Sequence, residues 1–226
     1  MTRLRVVTWN AEGMFVDGSK TTRALPHNAL AVLRKLKADF VVVPEFGNIA
    51  AAREETVLAI RALGYEISLA TYDDERSPGI GMAVLSRLPL ISEVQHALPE
   101  TGRPYIELRA RGEAGEQLRI IGVHLDDRSE VIRMKQIASV ISTVNDGGSV
   151  PTLVMGDFNA MHEKSLFAQV ARSSIVGRLS ARVKHDQLRS VAGRVHEMGR
   201  GTTIHTILTD THLRDLDTKH RRTISA

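Results

Sequence analysis

Apolar residues along the chain fall into runs of two periods. "LRVVTW", residues 4 to 9, is short and rich in β-formers, which predicts a strand. Leu25, Ala29, Val32, Leu33 and Leu36 instead recur at helical spacing and form one stripe. "DFVVVPE" is a continuous apolar run ending at Pro44, as expected of a strand buried on both faces. A helix from about Ala50 to Leu63, closed by Gly64, comes next. Strand-like pieces then succeed one another at about 65 to 71, 80 to 86, 90 to 96, 104 to 110 and 117 to 124. Breakers such as "SPG", "LPL", "TGRP" and "RGEAGE" separate them.

After "IGVHL" the period returns to that of a helix. Asp127 and Glu130 have capping-box spacing, Met134, Ile137, Ala138, Ile141 and Val144 make the apolar stripe, and "NDGG" ends it. "VPTLVMGD" then predicts another buried strand. From Glu163 to Gly201 the pattern is helical, weakly amphipathic and rich in arginine, which places helices at a surface. No repeat has a fixed period. Helices mixed with consecutive antiparallel-looking strands favour two packed sheets covered by helices over a doubly wound parallel sheet.

Composition narrows this picture. A chain of 226 residues with 42% hydrophobic and 25% charged residues can bury a sizeable core, and residues 1 to 226 read as one domain. No apolar run approaches the roughly 20 residues that cross a bilayer, and strand-like sequence starts where a signal peptide would lie, so a cytoplasmic location is expected. With no cysteine, disulfides, thiolate chemistry and Cys-ligated metals are excluded. Any metal must sit on oxygen or imidazole. The net charge of +4 is uneven: from Asn159 onward 12 Lys or Arg face six acids, a bias that can attract polyanions or serve only as a solvated surface.

Four strand-like segments end in polar residues. "TWNAEG" supplies Asn10 and Glu12, "VVVPEF" supplies Glu45, "IGVHLDD" supplies His124, and "LVMGDFN" supplies Asp157 and Asn159. Each has a structural explanation when taken alone, as a turn, a helix cap or a core histidine. Together they describe a site on one rim of a sheet. Carboxylates and asparagine make a hard, oxygen-rich donor set suited to Mg²⁺ or Mn²⁺. Glu45 with Asn10 would be a minimal cradle, leaving places for phosphate oxygens. A histidine and an amide beside it could donate to the oxygens of a pentacovalent phosphate, and Asp157 could orient or deprotonate the attacking water.

The ordered set "WN", a strand ending in Glu, "GIGMAVLSR", "HL" followed by "RMKQ", and "GDFN" resembles the endonuclease/exonuclease/phosphatase superfamily over about residues 4 to 160. The resemblance implies a four-layer α/β/β/α sandwich with two central mixed, largely antiparallel sheets and the site at one edge. It implies metal contacts from Asn10 and Glu45, with Glu12 where some members carry an acidic residue in the metal shell. His124 would contact the scissile phosphate, and Asp157 and Asn159 would position the nucleophile and stabilise the transition state. Arg87, Arg133 and Gln136 fit the family pattern as packing and supporting residues.

The sequence departs from that family at its end. Relatives finish with an aromatic-rich strand containing Asp and then a Ser-Asp-His motif, and neither is present here. Asp210-Thr211-His212 has the wrong spacing to replace it. The chain therefore reads as C-terminally incomplete, either a shortened piece of a longer protein or a natural short form. An apolar sheet edge left open favours the first. Two functions follow. One is an Mg²⁺-dependent phosphoesterase cleaving a phosphodiester, nuclease-like, with Mn²⁺ as the other candidate metal. The other is a non-catalytic phosphate- or nucleic-acid-binding module built on the basic C-terminal third. Fold does not choose among DNA, RNA, lipid head groups and small phosphoesters. Residues 172 to 200 contain no Trp, Tyr or Phe on which bases could stack, and oligomeric state is not legible.

Overall fold

A computed structural model describes residues 4–15, 26–48, 54–73, 79–160, 186–200 and 202–214. The elements run β1 (Val6–Thr8), α1 (Pro26–Leu36), β2 (Phe40–Asn48), α2 (Glu54–Ala62), β3 (Glu66–Thr71), β4 (Ile80–Ser86), β5 (Leu90–Ala97), β6 (Pro104–Arg111), β7 (Gln117–His124), α3 (Glu130–Asp146), β8 (Thr152–Asp157), α4 (Asp186–Met198) and α5 (Thr202–Asp210). Leu25, residues 50 to 53 of the expected second helix, and the arginine-rich stretch as far as residue 185 lie outside the described residues.

The strands form two four-stranded sheets, ordered β1-β2-β4-β3 and β5-β6-β7-β8. Both are mixed: β1 pairs with β2 and β7 with β8 in parallel, and the other pairs are antiparallel. The protein thus has the expected α/β fold with two packed sheets. It divides into two compact units, one holding both sheets with α1 and α2, the other holding α3, α4 and α5.

Strand alternation explains the layers of the first unit. In β2, Val41 and Val43 face one way and pack with Ala29, Leu33 and Ile60 of the helices, while Phe40 and Val42 face the other way. In β4, Ala83 and Leu85 join the helix side, whereas Met82 and Val84 meet Ile106, Leu108 and Ile120 of the second sheet. Burial on both faces is why these strands read as continuous apolar runs rather than alternating ones. Gly122 of β7 faces side chains of the first sheet. A Cβ there would lie 2.8 Å from Val84 Cγ2, 3.2 Å from Met82 Cε and 3.3 Å from Val42 Cγ1.

Three expectations are corrected. Strand β2 does not end at Pro44 but continues to Asn48, passing through an irregularity between Val43 and Gly47. The helix stripe containing Val32 is narrower than its period suggests, since Val32 is exposed while Ala29 and Leu33 are fully buried. The N-cap of α3 is Ser129, whose hydroxyl accepts from the Ile132 N–H, rather than Asp127. Asp126 Oδ1 accepts from the N–H groups of Arg128 and Ser129, which holds residues 126 to 129 in a turn ahead of the helix and puts the cap two residues past Asp127.

In the second unit the buried face of α3 also differs from the expected stripe. Ile137 and Val144 are buried as expected, but Ala138 is exposed, and Glu130, Arg133 and Gln136 are buried beside them. Arg133 is satisfied on three sides, by Glu130 Oε2 at 2.8 Å, the Asp126 carbonyl at 2.9 Å and the Glu197 carbonyl at 2.8 Å. Glu130 in turn accepts from the Thr202 hydroxyl and the Thr203 N–H at the start of α5. A buried arginine is tolerated only when it is paired this completely. Arg133 and Gln136 do support packing: Gln136 Oε1 accepts the Asp126 N–H at 2.8 Å.

The second sheet carries one buried ion cluster, and it makes a testable prediction. Burial alone would raise the Glu107 carboxyl, but the Arg119 guanidinium at 2.7 Å, with His96 at 3.1 Å, brings it below its ordinary value. An unfolded glutamate titrates at about pH 4.3. Because the folded value is lower, Glu107 contributes stability above that pH and loses it as pH falls through the folded value. Acid denaturation curves of Glu107→Gln should therefore be flatter than those of the wild type below about pH 4.3. Parallel curves would place the acid sensitivity elsewhere.

Candidate active site at the strand ends

The site starts from a break in a strand. Between Val43↔Ala83 and Gly47↔Gly81, β2 advances four residues while β4 advances two. Pro44 falls in this break, where its missing N–H costs no ladder bond. Such bulges re-aim side chains. The released carbonyls hold the chain that leaves β1: Ala11 N–H donates to the Pro44 carbonyl at 3.1 Å and Gly13 N–H to the Glu45 carbonyl at 2.7 Å. Glu45 adopts φ 51°, uncommon for a residue with a Cβ and characteristic of functional positions. An aromatic ladder backs these two segments, with Trp9 edge-on to Phe15 and Phe15 stacked on Phe46 at 4.7 Å.

Asn10 is thereby set between two carboxylates. Its Nδ2 donates to Glu45 Oε1 at 3.1 Å and to Asp157 Oδ2 at 3.2 Å, while its Oδ1 accepts the Glu12 N–H at 3.1 Å. Asp157 ends β8 in parallel register with His124 at the end of β7. His124 is 2% exposed, and its Nε2 lies 3.7 Å from Glu45 Oε1. Asn10, Glu45, His124 and Asp157 are therefore brought together, from the segment after β1, the break inside β2 and the ends of β7 and β8. Glu12 is exposed at φ 45°, close enough that its charge acts on Glu45. Asn159 belongs to the second unit, where it adopts φ 47° and its amide donates to the Leu125 carbonyl at 2.9 Å. Asp210 and His212 are exposed in that same unit, at the end of α5.

The electrostatics are those of crowded negative charge. Burial raises the Glu45 carboxyl above its ordinary value, and the Asp157 and Glu12 carboxylates raise it further, against the opposing pull of the Asn10 amide and Arg103. The donor set is oxygen-rich and short of positive charge. Among the described residues no group of three or more His, Asp or Glu could enclose a metal by itself. One or two carboxylates suffice for Mg²⁺, which keeps waters and phosphate oxygens for its remaining positions.

Two residues here have no forecast from the sequence. Tyr72 is buried, with its phenol oxygen 2.8 Å from His124 Nδ1 and 3.5 Å from the Glu45 nitrogen. Arg103, in the turn before β6, places its guanidinium 5.7 Å from the centre of the Tyr72 ring. Tyr72 follows β3 in "LATYDD", so the rule that singled out the other strand ends could have found it. Nothing local in "TGRP" marks Arg103.

Two mixed sheets carrying acidic, amide and imidazole groups around one cluster define an α/β fold of two packed sheets. Residues 7–212 match the endonuclease/exonuclease/phosphatase family, and the chain belongs to it. Among solved structures, ANGEL2, described as a 2',3'-cyclic phosphatase, is similar with TM-score 0.59 and 18% identity over 75% of this chain and 56% of its own. The human Nocturnin catalytic domain with bound sulfate anion gives TM-score 0.58 and 19% identity over 76% of this chain and 70% of its own. D. rerio TDP2 complexed with single strand DNA product gives TM-score 0.54 and 18% identity over 69% of this chain and 60% of its own. The chain thus spans little more than half the length of ANGEL2. None of the curated proteins matches the sequence. Among the described residues no helix is long and apolar enough to cross a membrane.

Proposed function

We propose that this chain is a divalent-metal-dependent phosphoesterase that hydrolyses a phosphodiester, with nucleic acid as its substrate class. The observation that carries this is the meeting of Asn10 and Glu45 of the first sheet's segments with His124 and Asp157 of the second sheet. Glu45 would hold Mg²⁺ or Mn²⁺ together with Asn10, with waters and phosphate oxygens filling the remaining positions and Glu12 standing outside them. A cation bound there would offset phosphate charge and lower the pKa of water. For Asn10 to offer oxygen, its amide would have to turn, since Nδ2 now faces the carboxylates.

The protein groups have separate tasks. Asp157 accepts a hydrogen bond from the attacking water and aligns it. His124 donates from Nε2 to a non-bridging phosphate oxygen as charge builds on it. Family membership and the names of the similar structures support a phosphoester substrate; the choice of nucleic acid rests on the basic C-terminal third.

The test is hydrolysis of bis(p-nitrophenyl) phosphate by the full chain. Turnover should require Mg²⁺ or Mn²⁺, vanish on chelation and return with added metal. Glu45→Gln should need at least about tenfold more metal for half-maximal rate, because one of few carboxylates is lost. Hydrolysis that persists in chelator would rule the reading out.

A further inference from the structure

We propose that Tyr72 is a positioning residue, whose phenol donates to Nδ1 of His124 and so places the proton of the neutral ring on Nε2, the nitrogen that faces Glu45. The hydroxyl meets two groups, the His124 Nδ1 at 2.8 Å and the Glu45 backbone nitrogen at 3.5 Å. A backbone N–H can only donate, so toward Glu45 the phenol oxygen is an acceptor. Its own proton is then directed to Nδ1. A neutral imidazole that accepts at Nδ1 carries its proton on Nε2.

The tyrosine is well fixed for this purpose. It is 3% exposed, and burial keeps the phenol protonated well above neutral pH. Its backbone N–H donates to the Ile80 carbonyl at 2.7 Å, and the next residue, Asp73, donates to the Gly102 carbonyl at 3.0 Å. The Arg103 guanidinium lies 5.7 Å from the centre of its ring, and the ring tilts 60° to the imidazole at 5.6 Å between centroids. A phenylalanine could fill the same volume. Among the described residues, what the hydroxyl adds touches only the histidine and the backbone of the strained Glu45, which is an arrangement for orientation rather than for packing.

The catalytic consequence rests on the phosphoesterase reading, because an Nε2–H is what a phosphate oxygen would accept from; the tautomer itself does not. The experiment is ¹⁵N NMR of ring-labelled histidine in the full chain, at a pH where the ring is neutral, beside diester kinetics. In the wild type, His124 Nδ1 should resonate as a hydrogen-bonded acceptor and Nε2 as protonated. In Tyr72→Phe the Nδ1 resonance should move and the ring should become a tautomer mixture. Its kcat should fall about tenfold at unchanged KM, the size of one neutral hydrogen bond. Adding Tyr72→Phe to His124→Ala should cause no further loss.

A proton on Nδ1 in the wild type, or ring nitrogens unmoved in Tyr72→Phe, would overturn the proposal. So would a kcat loss undiminished in the His124→Ala background. Absence of turnover with every metal would fell the phosphoesterase reading instead, while the ring nitrogens would still decide the tautomer.

Discussion

Asp157→Ala is expected to lower diester hydrolysis by about 100- to 10,000-fold, the range for loss of a group that aligns or deprotonates the nucleophile. Thermal stability should stay close to that of the wild type. Asp157 is only partly buried, and the Asn10 amide that donates to it keeps its second partner, Glu45 Oε1, at 3.1 Å. Removing one of two neighbouring carboxylates also relieves like-charge repulsion on Glu45. The substitution therefore separates chemistry from folding. Turnover measured against melting temperature checks it, and turnover equal to the wild type would remove Asp157 from the mechanism. Because Asp157 also stands beside the proposed metal position, its loss should raise the metal requirement as well as lower kcat. Glu45→Gln should raise that requirement more.

Much of this cluster is legible in the sequence, for a reason tied to strand geometry. Burial on both faces leaves long apolar runs, and the first polar residue after such a run marks the rim. Asn10, Glu45, His124 and Asp157 each follow such a run in the sequence, and the fold brings them together. The bulge at Pro44 is not legible, because a proline ends a regular ladder equally well whether the strand stops or continues beyond it. Tyr72 follows β3 by the same rule, but its partner lies 52 residues away, which no local pattern names. The buried face of α3 misled in a similar way. Period identifies apolar stripes, but Glu130 and Arg133 are buried through mutual pairing, and periodicity carries no information about pairs. Ser129 and Asp127 are both competent caps by type. Only the prior use of Asp126 by two backbone donors decides between them.

Gly156→Ala should destabilise the fold by about 3 kcal/mol and remove activity at the same time, since backbone in this region excludes a side chain. Gly156 has φ 139°, and a Cβ on it would lie 1.9 Å from the Val123 carbonyl oxygen and 2.8 Å from both the Val123 carbonyl carbon and nitrogen. These are main-chain atoms of the neighbouring strand, so no rotamer change can relieve the clash. The pair Val123↔Gly156 lies one step before His124↔Asp157 in the parallel ladder. Prying the strands apart there moves the two acting side chains away from each other. Gly122→Ala is the control, because its obstacles are the side chains of Val84, Met82 and Val42 in the facing sheet, which can shift. It should lose about 1–3 kcal/mol, as overpacked cores do, and keep most of its turnover. Denaturant midpoints and diester rates for the two variants give the comparison. A Gly156→Ala protein matching the wild type in both would mean that the β7–β8 pairing does not set the spacing of His124 and Asp157.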